Sequence, residues 1–530
     1  MTHSFFLKKI TASALLLSTA YIPLAYAVNL PTTTEPVSPE STINDFANIR
    51  DGAIDQATEL ERLERQNAVL DKTVPTARVT TEEIKDALDE RRPEQQVQSY
   101  DLEALKADPV AFTRFLNLAL AAQDMATVQA LLPHYKSLQV NDPLLIKFAD
   151  ALVYRSQGKN KQAIAIYKDM LAENPDFHPV RLNMAQALYA DKQYAAAEDQ
   201  LQKLRGADIP EPVMASVTRL IDRIERQEKW QFNASVSYLY DKNLNDVPER
   251  PLTSQLGTTP RPESGKGLLV SASANKRINL SKNYYATVGG NALIKGYWDK
   301  SEYNDYLFTA STGVGYDDAK NDFSVTPFVT KRYYSEDPYS WRKGVTLKAS
   351  RWVKPKLKLT ATGIFSNETF DDSVNKNRET DGRFYGLNGL YIQDANQYFY
   401  GGIGYYENDV PKAKIISYDR NSVNVGWGRE WSQGISTLTT LGYGVKKYEN
   451  PAKDLSGGAL LGYYNTFGGK PGSKRKDKTT SIGLQIWKRD FSVLGLTPRL
   501  VLDYDKTSSN FAYYDDRDDK TATIMLTKTF

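Results

Sequence analysis

Histidines, cysteines and opposed acids are the residues with which a chain does covalent or metal chemistry, and this chain is poor in the first two. It has three histidines in 530 residues (His3, His134 and His178) and no cysteine. Disulfides, thiolate metal sites and cysteine nucleophiles are therefore excluded. All three histidines precede residue 230, so the second half holds neither a Ser-His hydrolase nor histidine metal ligation. His178 follows Pro175 at a helix boundary and reads as a solvent-exposed turn residue. Acids cluster at Asp371-Asp372 and at Asp515, Asp516, Asp518 and Asp519. They read as solvated loop residues, because no opposed pair points to a glycosidase or protease. The Gly-rich basic stretch 468–478 (GGKPGSKRKDK) lacks the GxxxxGK[ST] spacing of a phosphate-binding loop. Residue chemistry therefore points to a non-enzyme that needs no cofactor and no metal.

The elements around these residues fall into sections. Residues 1–27 read as a cleaved export signal. Lys8 and Lys9 precede the apolar run Ala14-Leu15-Leu16-Leu17, and Ala25-Tyr26-Ala27 supplies the small-x-small cleavage pattern. Removing them lowers the formal net charge from +3 to +1, a balance that argues against nucleic acid as a partner. No later run of about 20 apolar residues offers a helical membrane span. Residues 28–100 read as a linker: Pro/Thr-rich to about 42, with a charged helical pattern over 43–70. From 101 to 228 the pattern is helical and repeats at a spacing of 34. Ala151 matches Ala185, Tyr154 matches Leu188, Ala163 matches Ala197 and Tyr167 matches Leu201. Gly158 separates one helix pair and Pro175 stops a helix. This is the tetratricopeptide (TPR) pattern of small residues where helices touch and large ones between them. The stretch 110–140 matches weakly and reads as a degenerate repeat or a cap.

At Trp230 the period changes to two. Phe232, Ala234, Val236, Tyr238 and Tyr240 share one face, and Asn233, Ser235 and Ser237 the other. The alternation recurs to the C-terminal end, in segments of about ten to fourteen residues, the length that crosses a bilayer at a tilt. Short turns (280–283, 317–322, 354–356, 394–397, 432–434) alternate with longer polar loops (242–265, 371–380, 410–418, 449–478, 509–519), as periplasmic turns and outer loops do. The count is fourteen antiparallel strands over 229–530 if 459–466 stays within an outer loop, which an even number requires. Phe530 reads as the closing residue that the barrel-assembly machinery recognises. The fold class is thus periplasmic TPR-like α-helical repeats followed by a transmembrane β-barrel of the cell outer membrane. Outer-membrane lipids and lipopolysaccharide are then expected neighbours, with the acid clusters and the basic 468–478 loop placed to meet them. Tyr385, Tyr391, Tyr398 and Tyr400 fit either interface girdles or an aromatic sugar track through the lumen.

Where helices give way to strands the chain reads Trp230-Gln231-Phe232, then Tyr240-Asp241-Lys242-Asn243-Leu244-Asn245-Asp246-Val247-Pro248. This resembles the barrel start of the surface lipoprotein assembly modulator (Slam) family, where an aromatic strand leads into a Y-D-x-N-[IL]-N-x-x-P element. The likeness covers about 100–530. It implies a translocator that moves particular cargo proteins to the cell surface, also called type XI secretion. The cargo would be surface lipoproteins that capture transferrin, lactoferrin or haem, or soluble haem-binding proteins. A TPR groove could capture that cargo, with Phe148, Leu152, Arg155, Gln186 and Tyr189 on its inner face; Phe148 and Leu152 read equally well as core. Trp230, Asp241, Asn243, Asn245 and Pro248 form the candidate junction motif. There Asp241, Asn243 and Asn245 would shape a lateral gate or pin the first outer loop, or simply make turns. Alternatives are a TPR-linked polysaccharide-export porin, a substrate-specific porin, and an adhesin displaying loops such as 449–478.

Overall fold

The computed structural model describes residues 102–122, 124–249, 253–254, 257–258, 261–371, 375–394 and 396–529. The expected signal, linker and charged helix, and Phe530, lie outside these. Among the described residues eight helices come first: α1 (Leu102–Ala107), α2 (Pro109–Ala121), α3 (Met125–Lys136), α4 (Pro143–Ser156), α5 (Asn160–Glu173), α6 (His178–Ala190), α7 (Tyr194–Arg205) and α8 (Glu211–Gln227). Local chemistry starts them. Asp108 accepts the Val110 and Ala111 amides and Asp142 those of Leu144 and Leu145, each ahead of a proline at the first helical position. The repeat is physical. Ala151, Ala163, Ala185 and Ala197 are fully buried, and Tyr167, Leu188 and Leu201 fill the space between helices. Gly158 and, 34 residues on, Lys192 both take left-handed backbone, at φ 69° and 59°. The weakly matching stretch 110–140 is itself a helix pair with a core of Phe112, Leu116, Val128 and Tyr135. His178 is the first residue of α6 and half-buried, a correction to its reading as an exposed turn residue.

Fourteen antiparallel strands then close into one barrel. They are β1 (Gln231–Asp241), β2 (Gly265–Asn279), β3 (Tyr284–Tyr297), β4 (Asp305–Asp317), β5 (Asn321–Tyr334), β6 (Asp337–Lys354), β7 (Leu357–Phe370), β8 (Thr380–Asp394), β9 (Gln397–Asp409), β10 (Tyr418–Glu430), β11 (Ile435–Tyr448), β12 (Lys476–Lys488), β13 (Thr497–Ser509) and β14 (Arg517–Thr529). Each pairs with its neighbours in sequence, and β1 pairs with β14 to close the sheet into a barrel. Exposure alternates as polarity does. Phe232, Tyr238 and Tyr240 face outward, while Ser235, Ser237 and Leu239 are buried inward.

Three details differ from, or go beyond, the sequence pattern. Residues 459–466 stay outside the barrel wall but are helical, within α9 (Gly457–Phe467), which Gly468 ends at φ 67°. The far-side connection Ser335-Glu336 is only two residues, both at positive φ, a hairpin turn that a rule of long outer loops does not foresee. The four tyrosines divide: Tyr385 and Tyr391 are exposed outward, whereas Tyr398 and Tyr400 turn inward over Gly428 and Gly426 of the next strand. A Cβ at Gly426 would stand 2.2 Å from the Tyr400 ring, so the glycine is what lets the tyrosine lie flat against the wall.

Candidate functional site: repeat groove and barrel rim

The helices enclose a cavity of about 480 Å³ lined by Asn117, Leu120, Met125, Phe148, Leu152, Arg155, Ser156 and Asn183. Three of the five residues expected on the inner face line it. Leu152 is nearly fully buried, and Phe148 is half-buried and packs against both helical cores, 6.4 Å from Tyr167. Arg155 spans the wall, donating from Nη1 to Asn183 Oδ1 and Gln186 Oε1, each at 2.7 Å. That brings Gln186 to the groove's edge. Tyr189 is not among the lining residues. Its ring meets Tyr194 edge-on at 5.4 Å, on the way to the barrel.

That way leads to a contact that the sequence pattern did not disclose. The turn between α6 and α7 reaches the barrel rim formed by β2–β5. Asn283 Nδ2 donates to the Asp191 carbonyl, and both residues are buried. Lys192 Nζ lies 3.0 Å from Asp317, whose carboxylate also takes Arg277 at 2.8 and 3.1 Å. The Arg277 guanidinium lies 3.8 Å over the Tyr285 ring and 5.7 Å from that of Tyr194. On α5, Lys161 reaches Tyr316 Oη at 2.8 Å and Asp318 at 3.0 Å. At the end of α8, Glu228 accepts the Asn279 amide at 3.1 Å. Burial raises the Asp191 carboxyl above its ordinary range. Burial also opposes ionisation of Asp318, but the Lys320 and Asn321 amides and the Lys161 ammonium outweigh it and bring its pKa down to about 2. One sequence signal marks this interface. Where the first repeat has Gly158 the second has Lys192, in the same left-handed conformation. A non-glycine residue there costs about 1–2 kcal/mol, and here its ammonium reaches Asp317.

The junction motif is split between the two ends of β1. Trp230 stacks on Phe232 at 6.2 Å at the helical end. At the far end Asp241 takes Lys295 and Tyr297, each at 3.2 Å, and the Asn243 amide at 3.1 Å. Asn243 grips Val247 from both sides, donating to its carbonyl at 2.6 Å and accepting its amide at 3.1 Å. Asn245 does the same across the loop, to the Arg261 carbonyl and from the Glu263 amide, both at 3.0 Å. Pro248 is buried beneath. Asp246, at φ 49°, pairs with Arg517 of β14. The side chains thus fold the start of the first far-side loop onto itself and tie it to the last strand.

Residues 230–530 match the family described as "Surface lipoprotein assembly modifier", and residues 98–201 match that family's N-terminal TPR repeats. The chain belongs to this family. It is 28% identical over 434 residues to the surface lipoprotein assembly modifier of Pasteurella multocida, covering 79% of this chain and 83% of the relative. It is 28% identical over 467 residues to surface lipoprotein assembly modifier 1 of Neisseria meningitidis serogroup B, covering 86% and 91%. The hemophilin secretion modulator of Acinetobacter baumannii is 24% identical over 454 residues, covering 81% and 87%. Family and fold together place this chain in the outer membrane, its TPR repeats on the periplasmic side.

Proposed function

We propose that this chain carries cargo proteins from the periplasm to the cell surface, capturing them in the TPR groove and passing them through or alongside the barrel. The observation that carries the reading is the rim contact. A repeat array with a groove of protein-binding character is held against the barrel's periplasmic end by Asp191, Lys192 and Lys161. An array with no traffic through the barrel would have no need of that attachment. Phe148 and Leu152 supply apolar contact, and Arg155, positioned by Asn183 and Gln186, supplies a directed cation. Tyr189 helps to brace the array on the rim. Asp241, Asn243, Asn245 and Pro248 hold the exit loop in shape, and Trp230 anchors the periplasmic start of β1.

The names of these relatives, which speak of assembling surface lipoproteins and secreting hemophilin, support cargo of that kind here: a surface lipoprotein or a soluble haem- or iron-acquisition protein. The work is transport without covalent catalysis. Outer-membrane lipids, lipopolysaccharide at the basic 468–478 loop, and the barrel-assembly machinery are its other partners.

The test is surface display of a lipoprotein encoded beside this gene, co-expressed in a heterologous host and read by antibody or protease shaving of intact cells. Display or release only in the presence of this chain is the expected result. Cargo that stays periplasmic beside a correctly inserted barrel would sink the pairing and favour polysaccharide export or a substrate-specific porin.

A further inference from the structure

The first strand is paired unequally on its two sides. Toward β2 its ladder covers the strand, from Gln231↔Asn275 to Asp241↔Gly265. Toward β14 it runs from Asn233↔Thr529 only to Ser237↔Met525, five pairs, although β1 continues to Asp241 and β14 begins at Arg517. Every other ladder of the barrel has eleven pairs or more. Continuing the register would set Tyr238 opposite Ile524, Leu239 opposite Thr523 and Tyr240 opposite Ala522. At that point the Tyr238 carbonyl accepts the Thr523 hydroxyl at 3.0 Å, a side chain standing where a backbone amide would continue the ladder. Above the gap Arg517 of β14 clasps Asp246 in the loop that follows β1. The seam is therefore zipped at its periplasmic end, clasped at its outer end, and open in its ladder between.

A strand edge whose ladder stops is a template for another strand. An extended peptide adds to such an edge through main-chain hydrogen bonds, with little demand on its sequence. We propose that the outer half of this seam, between Tyr238–Asp241 and Ala522–Ile524, is a docking edge for an extended segment of the exported polypeptide. The segment pairs with β1 as it leaves the barrel. The inference rests on the translocator reading. A lipid acyl chain has no donors or acceptors for such an edge, whereas a polypeptide brings them at the strand repeat. The height suits an exit. Outward-facing Tyr238 lies 6.1 Å from exposed Trp298, an aromatic pair of the sort that marks the membrane boundary. A segment docked here meets water at its next residues.

The absence of native cysteine makes the test clean. Tyr240→Cys with Ala522→Cys bridges the gap. Tyr240→Cys with Lys266→Cys bridges the same residue to β2, its established ladder partner, and serves as control. Both are oxidised in intact cells exporting the neighbouring-gene lipoprotein, with heat-modifiable gel mobility reporting the folded barrel. The expected result is at least a tenfold loss of display for the oxidised seam variant, restored by reductant, with the oxidised control unaffected. Full display from the oxidised seam variant overturns the proposal, as does equal loss from both bridges. Failure of the seam cysteines to join in a folded barrel overturns the register on which it stands. No display from the cysteine-free chain sinks the translocator reading itself, and the proposal with it. A single Tyr240→Cys chain should in addition form a mixed disulfide with cysteine-bearing cargo, and a single Tyr385→Cys chain, on the exposed outer face of β8 seven strands from β1, should not.

Discussion

Replacing Lys192 by Glu puts a negative charge against Asp317, a carboxylate only 2% exposed, at a site where the ammonium now lies 3.0 Å away. An exposed ion pair is worth about 0.2–1 kcal/mol. This one is worth more, because Lys192 is 31% exposed and its partner is almost dry. The reversal replaces attraction by repulsion, tempered by Arg277, which stays bound to Asp317. The net loss is about 2 kcal/mol, within the ~4 kcal/mol Coulomb limit for a pair at this depth. If it falls on docking, the ratio of docked to undocked helices drops roughly 30-fold. Lys192→Gly separates the causes: it removes the pair without adding a charge, and the ~1 kcal/mol of left-handed strain that it relieves is relieved in docked and undocked helices alike, so it should weaken docking less than the reversal does. Dyes on Gln129→Cys in α3 and Ser432→Cys in the β10–β11 turn would report the distance between helices and barrel in a nanodisc by single-molecule energy transfer. Both sites are exposed and no native cysteine competes. A distance distribution unchanged in Lys192→Glu, or equal separation in Lys192→Gly, would refute the assignment of Lys192 as a docking residue.

Four further outcomes follow from the same geometry. Ala163→Leu adds three carbons at a fully buried helix contact and should cost about 1–3 kcal/mol. It should lower the helical melting transition while leaving the barrel's heat-modifiable mobility alone. Gly426→Val drives a side chain into the Tyr400 ring and should reduce the folded barrel fraction on gels by a similar energy. Asp318 has its pKa lowered to about 2, in part by its own turn's amides and in part by Lys161; only the Lys161 part depends on docking, and that part is lost as pH falls toward 2. The energy-transfer assay should show that acid step, and Asp318→Asn should abolish it. Arg155→Ala removes the cation that spans the groove; cargo pull-down should weaken about tenfold, the ~1.4 kcal/mol of a lost charged hydrogen bond, with the helical melting point shifted far less than by Ala163→Leu.

The architecture was legible because two periodicities carry it. Alanines at a spacing of 34 and alternation from Phe232 onward each reflect a burial requirement that acts residue by residue. Strand number was legible only through parity, since the apolar stretch Ala459–Thr466 satisfies a short strand as well as a helix; its contacts with Phe511 and Tyr514 in another loop decide the matter. The groove was partly visible: Phe148, Leu152 and Arg155 line it, but Tyr189 turns toward the rim, where its ring meets the edge of Tyr194, which in turn lies beneath Arg277. The rim itself was not visible. It joins residues such as Asp191 and Asn283, 92 apart, and no spacing rule relates a repeat turn to a strand turn. The inward aromatics Phe384, Tyr406 and Tyr418 were equally hidden, since alternation tells which residues share a face but not which aromatics need a neighbouring glycine.

The short ladder between β1 and β14 also sets the order of assembly. Ser235 meets Ser271 across 36 residues of chain but Thr527 across 292. That is three doublings of loop length, and each adds about 0.6 kcal/mol of closure entropy. The seam therefore closes at the greatest entropic cost with the fewest pairs to offset it, after the other thirteen ladders have formed. Until then β1 and β14 each present a bare edge while the helices ahead of β1 are free to fold. A nascent barrel thus spends its last kinetic stage as an open sheet, and the final closure is the step at which a catalyst of membrane insertion has most to contribute.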